Sequence, residues 1–319
     1  MISLEVEQKA DKNWNKRLLS TEAGTIYQTL EMAIYSERFS STPFFLKFID
    51  EKGAIVGQLV ILVSPRFENK GKFRNLLKKL PKLKKESLLW TYGPVVFNPE
   101  AYPEVYSELE KFLLSKNYIV NGWTNPFFPG DPLPLNKNFQ IKKWATSFID
   151  LTKTKDELYK NIHKHSGRKN VERSKERGVI VEEISEKNFL EFNKFACEIK
   201  KQLDPQTLLD WWKSLKPLGY SGFLAKWNDK PVGSLMFSFF NKNIIEGGLI
   251  RSPEDIQNRL YSQDLIKWKI IEWGVNNKMR FYNLAGFNPF PENKKEEGIK
   301  RYKMKWGGKT KNYWRIKNG

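Results

Sequence analysis

The feature that most constrains the fold is an internal repeat. Residues 45–57 and 223–233 each read as an apolar strand, a polar turn containing Asp and Lys, and a second strand beginning Val-Gly. This pattern is the sequence signature of a β-hairpin. Each hairpin is followed by a further strand, a helix-like stretch, an apolar strand and an Asn-Pro turn, at residues 125–126 and 288–289. Because these features recur in the same order, the chain is predicted to contain two copies of one α+β unit.

The predicted fold class is therefore α+β, with two tandem domains that are each a mixed sheet flanked by helices. The order of elements resembles the unit of the GNAT acyltransferases, in which the sheet opens beside a helix and holds an acyl carrier. The first GNAT-like domain is predicted to cover residues 1–145. The second would cover residues 146–319 and include a C-terminal basic segment.

Composition narrows the classes of function. Hydrophobic residues make up 40% of the 319 residues, which is enough for a core and excludes global disorder. A net charge of +19 favours polyanionic partners such as RNA or a membrane surface, with a merely solubilising surface as the alternative. A single cysteine excludes a disulfide framework and a cysteine-based zinc site. No cofactor and no metal are expected, and the lack of a signal peptide or long apolar run predicts a cytoplasmic protein.

Two basic segments are candidates for binding anions. Residues 66–85 combine nine basic residues and one acidic residue with leucines at near-helical spacing. This pattern predicts peripheral contact with the inner membrane face or an RNA backbone, and a solvated loop is the alternative. Residues 153–177 are predicted to be helical with an interruption at Gly167, and there Arg168 and Lys169 are candidate ligands for phosphate.

A third basic segment, residues 294–317, carries the main candidate residue. Ile299, Tyr302 and Trp306 recur at the spacing of one helix face. Placing residues about 100° apart puts Lys303 at the edge of this stripe, while Lys300 and Arg301 fall on the far side and Lys305 lies between. A half-buried lysine beside aromatic rings can stabilise a developing negative charge. The alternative is a lysine whose stem covers the rings while its ammonium stays in water.

The loop expected to hold an acyl carrier in the second half, residues 252–263, contains no glycine. Backbone N–H groups approach a pyrophosphate most readily where the chain is glycine-rich. The sequence therefore disfavours acyl-CoA bound in the usual manner. Arg259, Tyr261 and Gln263 in this loop are candidate substrate-binding residues.

Several motifs of the second half resemble those of the Fem family, the FemABX-like aminoacyltransferases that build peptidoglycan interpeptide bridges. The matching stretches are Phe-Ile-Asp-Leu at 148–151, Gly-Arg-Lys-Asn-Val at 167–171, Lys-Glu-Arg-Gly-Val at 175–179, Tyr-Asn-Leu-Ala-Gly at 282–286 and Gly-Ile-Lys-Arg-Tyr-Lys-Met-Lys-Trp-Gly-Gly at 298–308. The order and spacing of these motifs carry the resemblance. Asn283 and Ala285 stand where an acidic residue and a glycine are usual in the family.

The resemblance implies an N-acyltransferase that moves an amino acid from aminoacyl-tRNA to an amine on an anionic nucleotide- or lipid-linked peptide of the cell envelope. Lys303 would be the catalytic residue, holding the tRNA 3′ end or stabilising the oxyanion, with Tyr302 beside it as a substrate-binding residue. Two alternatives stay open. One is an acyl-CoA-dependent GNAT N-acyltransferase, and the other is a non-catalytic protein that binds RNA or a membrane surface.

Overall fold

The computed structural model describes residues 1–65, 86–115, 118–127 and 138–318. The basic segment 66–85, predicted to contact a membrane or RNA, lies outside the described residues. The chain divides into two compact units, of which unit 1 comprises Met1–Trp144 with Asn312–Gly319 and unit 2 comprises Ala145–Lys311. The sequence-based division assigns residues 312–319 to the second domain, whereas the structure groups them with unit 1.

The elements are numbered along the chain. The strands are β1 (Ser3–Glu7), β2 (Thr42–Ile49), β3 (Ile55–Pro65), β4 (Glu86–Trp90), β5 (Val95–Val96), β6 (Ile119–Trp123), β7 (Gln140–Asp150), β8 (Ile180–Glu183), β9 (Tyr220–Trp227), β10 (Lys230–Phe240), β11 (Asn243–Arg251), β12 (Phe281–Phe287) and β13 (Lys309–Lys317). The helices are α1 (Trp14–Leu19), α2 (Leu30–Glu37), α3 (Tyr102–Ser115), α4 (Lys155–Asn161), α5 (Lys169–Glu176), α6 (Phe189–Ile199), α7 (Pro205–Leu215), α8 (Pro253–Gln257), α9 (Ser262–Asn276) and α10 (Lys294–Met304). A π-helical turn occupies Lys164–Arg168.

Unit 1 contains strands in the order β1-β2-β3-β4-β6-β13, with β5 paired to β3. The predicted hairpin is present as β2 and β3, which pair antiparallel. β4 and β6 are parallel neighbours, and the chain crosses between them through α3. The buried face of α3, with Val105 and Leu109, packs in one core with Phe48 and Leu59 of the hairpin. Burial of each such side chain contributes about 1.5–3 kcal/mol.

Unit 2 repeats this arrangement. Its strand order is β7-β12-β11-β10-β9-β8. The second predicted hairpin is formed by β9 and β10, whose two turn residues, Asn228 and Asp229, have left-handed φ angles of 48° and 60°. Such angles suit a two-residue hairpin turn. β11 and β12 are parallel, and the crossover between them contains α9. Each unit thus contains a hairpin followed by a parallel pair with a helical crossover.

The two Asn-Pro turns also have the same local structure. The Oδ1 atom of Asn125 accepts a hydrogen bond from the N–H of Phe127 at 2.9 Å. The Oδ1 atom of Asn288 accepts one from the N–H of Phe290 at 3.0 Å. An Asn side chain that bonds the backbone two residues on replaces a backbone turn. The Asn-Pro turns that follow β6 and β12 therefore share one local structure.

The helix predicted for residues 153–177, with an interruption at Gly167, is divided there into α4, the π-helical turn and α5. Leu158, Ile162 and His165 lie at the spacing of one helix face, but only Leu158 and Ile162 are buried, and His165 is exposed. The turn intervenes because Gly167 packs closely on Ile162: a Cβ at Gly167 would lie 2.2 Å from the Ile162 side chain. Within the described residues, no helix is long and apolar enough to cross a bilayer.

Candidate functional site

The strands β11 and β12 separate after a short paired stretch, and Lys303 lies at this opening. The two strands pair only from Asn243 to Ile245 on β11, and within the described residues their pairing ends there. β12 then has an irregular register between Asn283 and Gly286, where Ala285 adopts a left-handed φ of 59°. Glycine adopts such a backbone conformation more readily than residues with a Cβ, and this chain has an alanine there.

Helix α10 carries Lys303 to this opening. Asn293 caps the helix by accepting a hydrogen bond from the N–H of Glu296 at 3.0 Å, and acidic residues in the first turn suit the helix dipole. The expected apolar stripe is present only in part. Trp306 is 1% exposed, but Ile299 is 39% exposed because the first turns of α10 face outward.

Lys303 is half-buried, and its Nζ donates a hydrogen bond to the carbonyl oxygen of Gly286 at 3.0 Å. Burial lowers the pKa of Lys303 to about 8, with a further lowering by Lys267 that is opposed by Glu246. The ammonium is therefore held at the irregular part of β12 and gives up its proton more readily than a surface lysine does.

The other cations in and directly after α10 do not follow the helical-wheel expectation closely. Lys305 also turns inward, and its Nζ forms an ion pair with Asp264 of α9. Lys300, expected on the far side, donates a hydrogen bond from its Nζ to the carbonyl oxygen of Pro289 at 2.8 Å. The long lysine stem allows an ammonium to reach a partner well away from its Cα direction, and the helical wheel does not include this reach.

Behind Lys303 lies a polar cluster that the sequence reasoning missed. Lys267 of α9 is fully buried and forms an ion pair with Glu246 of β11. The hydroxyl of Tyr282 donates a hydrogen bond to Oε2 of Glu246 at 2.9 Å. Burial, with Glu246 beside it, raises the pKa of Tyr282 well above its usual value, so its hydroxyl keeps its proton and donates.

A signal for this cluster was present in the sequence. Lys267 shares a helix face with Ile270, Ile271 and Gly274, at spacings of three, four and seven residues. Glu246 is the only charged residue between Asn243 and Ile250. A lone charge on an apolar face indicates a buried, paired group, because an unpaired one would be costly.

The ring of Tyr302 lies near two ammonium groups. The Nζ atoms of Lys267 and Lys305 are 5.0 and 4.3 Å from its centroid, both within range of a cation–π interaction. Its hydroxyl is buried and has no hydrogen-bond partner among the described residues.

Asp264, the partner of Lys305, is also buried. Burial raises the pKa of Asp264, and the nearby ammonium of Lys305 opposes this rise. Asn170 donates a hydrogen bond from its Nδ2 to Oδ2 of Asp264 at 3.0 Å.

The start of α9 already holds a carboxylate. Asp255 is fully buried, accepts a hydrogen bond from the N–H of Ser262 at 2.9 Å, and pairs with Arg251. Arg259 and Tyr261 have left-handed φ angles of 50° and 57°, so the turn is made without glycine. Arg259 is exposed. An anion placed at this helix start would meet the charge of Asp255.

The remaining sequence candidates lie apart from Lys303. Gln263 is buried, and its Nε2 donates to the carbonyl oxygen of Ile250 at 2.7 Å, which fastens α9 to β11. Arg168 is half-buried at the end of the π-helical turn, and Lys169 is exposed at the start of α5. In the described part of the chain, no hydrogen bond or ion pair joins these three to Lys303.

A cavity of about 620 Å³ lies beside α10. It is lined by Asn161, His163, Ser166, Pro291, Glu297, Lys300, Arg301, Met304 and Lys305. Within the described ranges, no group of three or more His, Cys, Asp or Glu side chains is placed to hold a metal ion. The side chains described around Lys303 supply buried ammonium groups, the carboxylates of Glu246 and Asp264, and tyrosine hydroxyls.

Comparison with known proteins rests on structure. No protein-family model and no curated protein matches the sequence. The fold is similar to that of FemX, with a TM-score of 0.65 and 12% identity over 97% of this chain and 96% of that one. It is also similar to a tandem GNAT protein from the clavulanic acid biosynthesis pathway, with a TM-score of 0.54 and 10% identity over 99% and 97% of the two chains.

A third similar structure is the C-terminal domain of a putative lysylphosphatidylglycerol synthetase from Agrobacterium fabrum. The TM-score is 0.53 at 10% identity, over 97% of this chain and 90% of that one. At such identities the likeness concerns the fold. The expectation of a Fem-like GNAT fold, with mixed strand pairing and flanking helices, is confirmed.

Proposed function

We propose that this chain, which has the Fem-like GNAT fold, is an N-acyltransferase that moves an aminoacyl group from aminoacyl-tRNA to an amine. The acceptor we propose is an anionic nucleotide- or lipid-linked peptide of the cell envelope. The observation that carries the proposal is the half-buried ammonium of Lys303, which is bonded to Gly286 where β12 becomes irregular beside its opening from β11. Lys303 is the proposed catalytic residue.

The reaction needs a positive group at the carbonyl oxygen. When a neutral amine attacks the ester carbon, a C–N bond forms and the carbonyl oxygen gains negative charge. A preorganised cation in a partly buried site stabilises that charge. Collapse of the intermediate breaks the ester C–O bond, and the 3′ hydroxyl of the tRNA leaves with the proton that the amine loses. With a pKa of about 8, Lys303 is mostly protonated near neutral pH and can act as this cation.

Two features support an RNA donor over an acyl-CoA donor. The net charge of +19 suits a polyanion. The buried carboxylate of Asp255 occupies the start of α9, where a carrier pyrophosphate would otherwise find free N–H groups. We further propose that Arg168, Lys169, Arg259 and Tyr261 contact the donor away from the reacting carbonyl, with Tyr302 packing near it.

The test is a transfer assay with charged tRNA as donor and a peptide amine as acceptor, at physiological salt. Lys303→Ala should lower kcat by at least about 100-fold, the usual effect of removing one oxyanion donor. Lys295→Ala is the matched control, since it removes an exposed lysine from the same helix. It should change transfer less than about threefold, because an exposed charge adds only to non-specific attraction.

Binding of charged tRNA, uncharged tRNA and acetyl-CoA to the same variants separates the alternatives. Preference for the charged tRNA that weakens in Lys303→Ala supports the proposal. Saturable binding of acetyl-CoA, with RNA bound regardless of its charging, would replace it with an acyl-CoA-dependent enzyme. Equal, salt-sensitive binding of all polyanions with no transfer would indicate a non-catalytic binding protein.

A further inference from the structure

Behind the proposed catalytic lysine lies a fully buried lysine to which the proposed reaction assigns no part. We infer that Lys267, paired with Glu246, is a positioning residue that docks α10 and fixes the place and charge state of Lys303. The effect of Lys267 on catalysis rests on the proposed function. The effect of Lys267 on the position and charge of Lys303 does not rest on that function, and each effect can be measured separately.

The docking role follows from the surroundings of the Lys267 ammonium. Its Nζ lies 5.9 Å from the ring centroid of Tyr282, 5.0 Å from that of Tyr302 and 5.8 Å from that of Trp306. Tyr282 belongs to β12, Tyr302 to α10, and Trp306 follows α10. One cation in α9 thus attracts rings from both elements that hold Lys303, since Lys303 lies in α10 and bonds to Gly286 of β12.

Stability alone does not account for this pair. Removing two charges from water costs several kcal/mol per ion, and well-packed apolar residues in place of a buried ion pair are often neutral or stabilising. α9 could therefore carry an apolar residue at position 267 and β11 one at position 246. The placement of both charges next to Lys303 gives them a consequence that apolar residues could not have.

That consequence is electrostatic, and it involves charges from every element packed around the site. Glu246 comes from β11, Tyr282 from β12, Lys267 and Asp264 from α9, and Tyr302 from α10. Lys305 directly follows α10, and Arg251 and Asp255 lie near the start of α9. Beyond burial, Glu246 raises the pKa of Lys303 and Lys267 lowers it. Lys305 and Asp264 balance each other in a separate ion pair. Lys267 thus offsets the attraction that Glu246 would otherwise exert on the Lys303 proton.

The test measures the ionisation of Lys303 directly and needs no substrate. The full-length protein is labelled with trace acetic anhydride over a range of pH, and modification of Lys303 is read by mass spectrometry of its peptide. Lys267→Met should move the midpoint to higher pH and Glu246→Gln should move it to lower pH, each by about one pH unit. Lys269→Met is the matched control, because it makes the same exchange on the same helix at a lysine that is partly exposed and paired to Glu272. It should leave the midpoint in place.

The double variant Lys267→Met/Glu246→Gln keeps the test decisive if a single variant does not fold, because it leaves no unpaired charge. Loss of the three ring contacts should speed hydrogen exchange of the α10 amides about tenfold, which corresponds to about 1.4 kcal/mol of cation–π attraction. The two opposite shifts cancel in the double variant, so its Lys303 midpoint should stay near that of the wild type. Unchanged hydrogen exchange of the α10 amides in the folded double variant would overturn the inference, as would unmoved Lys303 midpoints in folded single variants. An effect as large in Lys269→Met would do the same.

The outcomes also separate this inference from the proposed function. Wild-type protein that transfers no aminoacyl group while the labelling midpoints move as expected would refute the function and leave the coupling intact. If the wild-type protein transfers an aminoacyl group but the Lys303 labelling midpoint does not move in the variants, the function stands and the coupling is refuted. If both hold, the pH profile of kcat/KM in each variant should follow the labelling midpoint of Lys303.

Discussion

The ammonium of Lys305 lies 4.3 Å from the centroid of the Tyr302 ring. The same ring lies 5.0 Å from the ammonium of Lys267. These two lysines are paired to different carboxylates, Asp264 and Glu246, on different elements. The ring of Tyr302 thus connects both buried ion pairs to α10.

Replacement of Tyr302 should show that its ring matters more than its hydroxyl. Tyr302→Phe should change the free energy of unfolding by less than about 1 kcal/mol, since the hydroxyl has no hydrogen-bond partner among the described residues. Tyr302→Leu removes the ring from two ammonium groups and should destabilise by about 1–3 kcal/mol. Urea denaturation of the two variants measures both, and equal losses would contradict the cation–π account.

Lys303 should make the free energy of unfolding increase with pH above about pH 8. Burial lowers the pKa of Lys303 from 10.5 to about 8. Between these values the unfolded chain holds more protons at this residue than the folded chain, so its contribution to the free energy of unfolding rises with pH. Below pH 8 both states are protonated and the contribution is flat.

The measurement compares wild type with Lys303→Met from about pH 7 to about pH 10. The difference, wild type minus variant, should rise by up to about 1.4 kcal/mol per pH unit above pH 8. Using the difference removes titrations that both proteins share. A difference that falls with pH would mean that the folded state stabilises the Lys303 charge.

Replacing one partner of the Lys267–Glu246 pair should lower the free energy of unfolding much more than replacing both partners together. Lys267→Met alone leaves a buried carboxylate without its cation and should destabilise by about 3–5 kcal/mol. The double variant Lys267→Met/Glu246→Gln should recover most of that loss. Urea denaturation of wild type, both single variants and the double variant completes the cycle, and additive losses would show that the two residues do not interact.

The close packing of β10 against the start of α9 should require a glycine at position 233. A Cβ at Gly233 would lie 2.5 Å from Oγ of Ser262 and 2.8 Å from Nε2 of Gln263. Gly233→Ala should therefore shift α9 and cost about 1–3 kcal/mol. Gly248→Ala is the matched control, since nothing lies within 4 Å of its Cβ position, and should stay within about 0.5 kcal/mol of wild type. Thermal unfolding of both checks the difference.

Local pattern was enough to predict several parts of the fold. The hairpins β2–β3 and β9–β10 follow from alternating apolar residues around polar turns, and the Asn-Pro turns follow from side chains that bond backbone two residues away. α10 was predicted because its residues repeat at helical spacing. Lys303 was expected to point inward on the same ground. In each case the interactions that decide the structure lie within a few residues of one another.

The sequence by itself determined the repeat, the strand-helix order and the place of Lys303 on α10, because these depend on short-range periodicity. Only the tertiary structure decided which charges surround that lysine. Lys267 and Glu246 are 21 residues apart, and Lys305 meets Asp264 on another helix. Such pairs form where separate elements approach, at distances set by packing across the whole unit. The long, flexible side chain of a lysine then pairs with a carboxylate that the fold places within its reach.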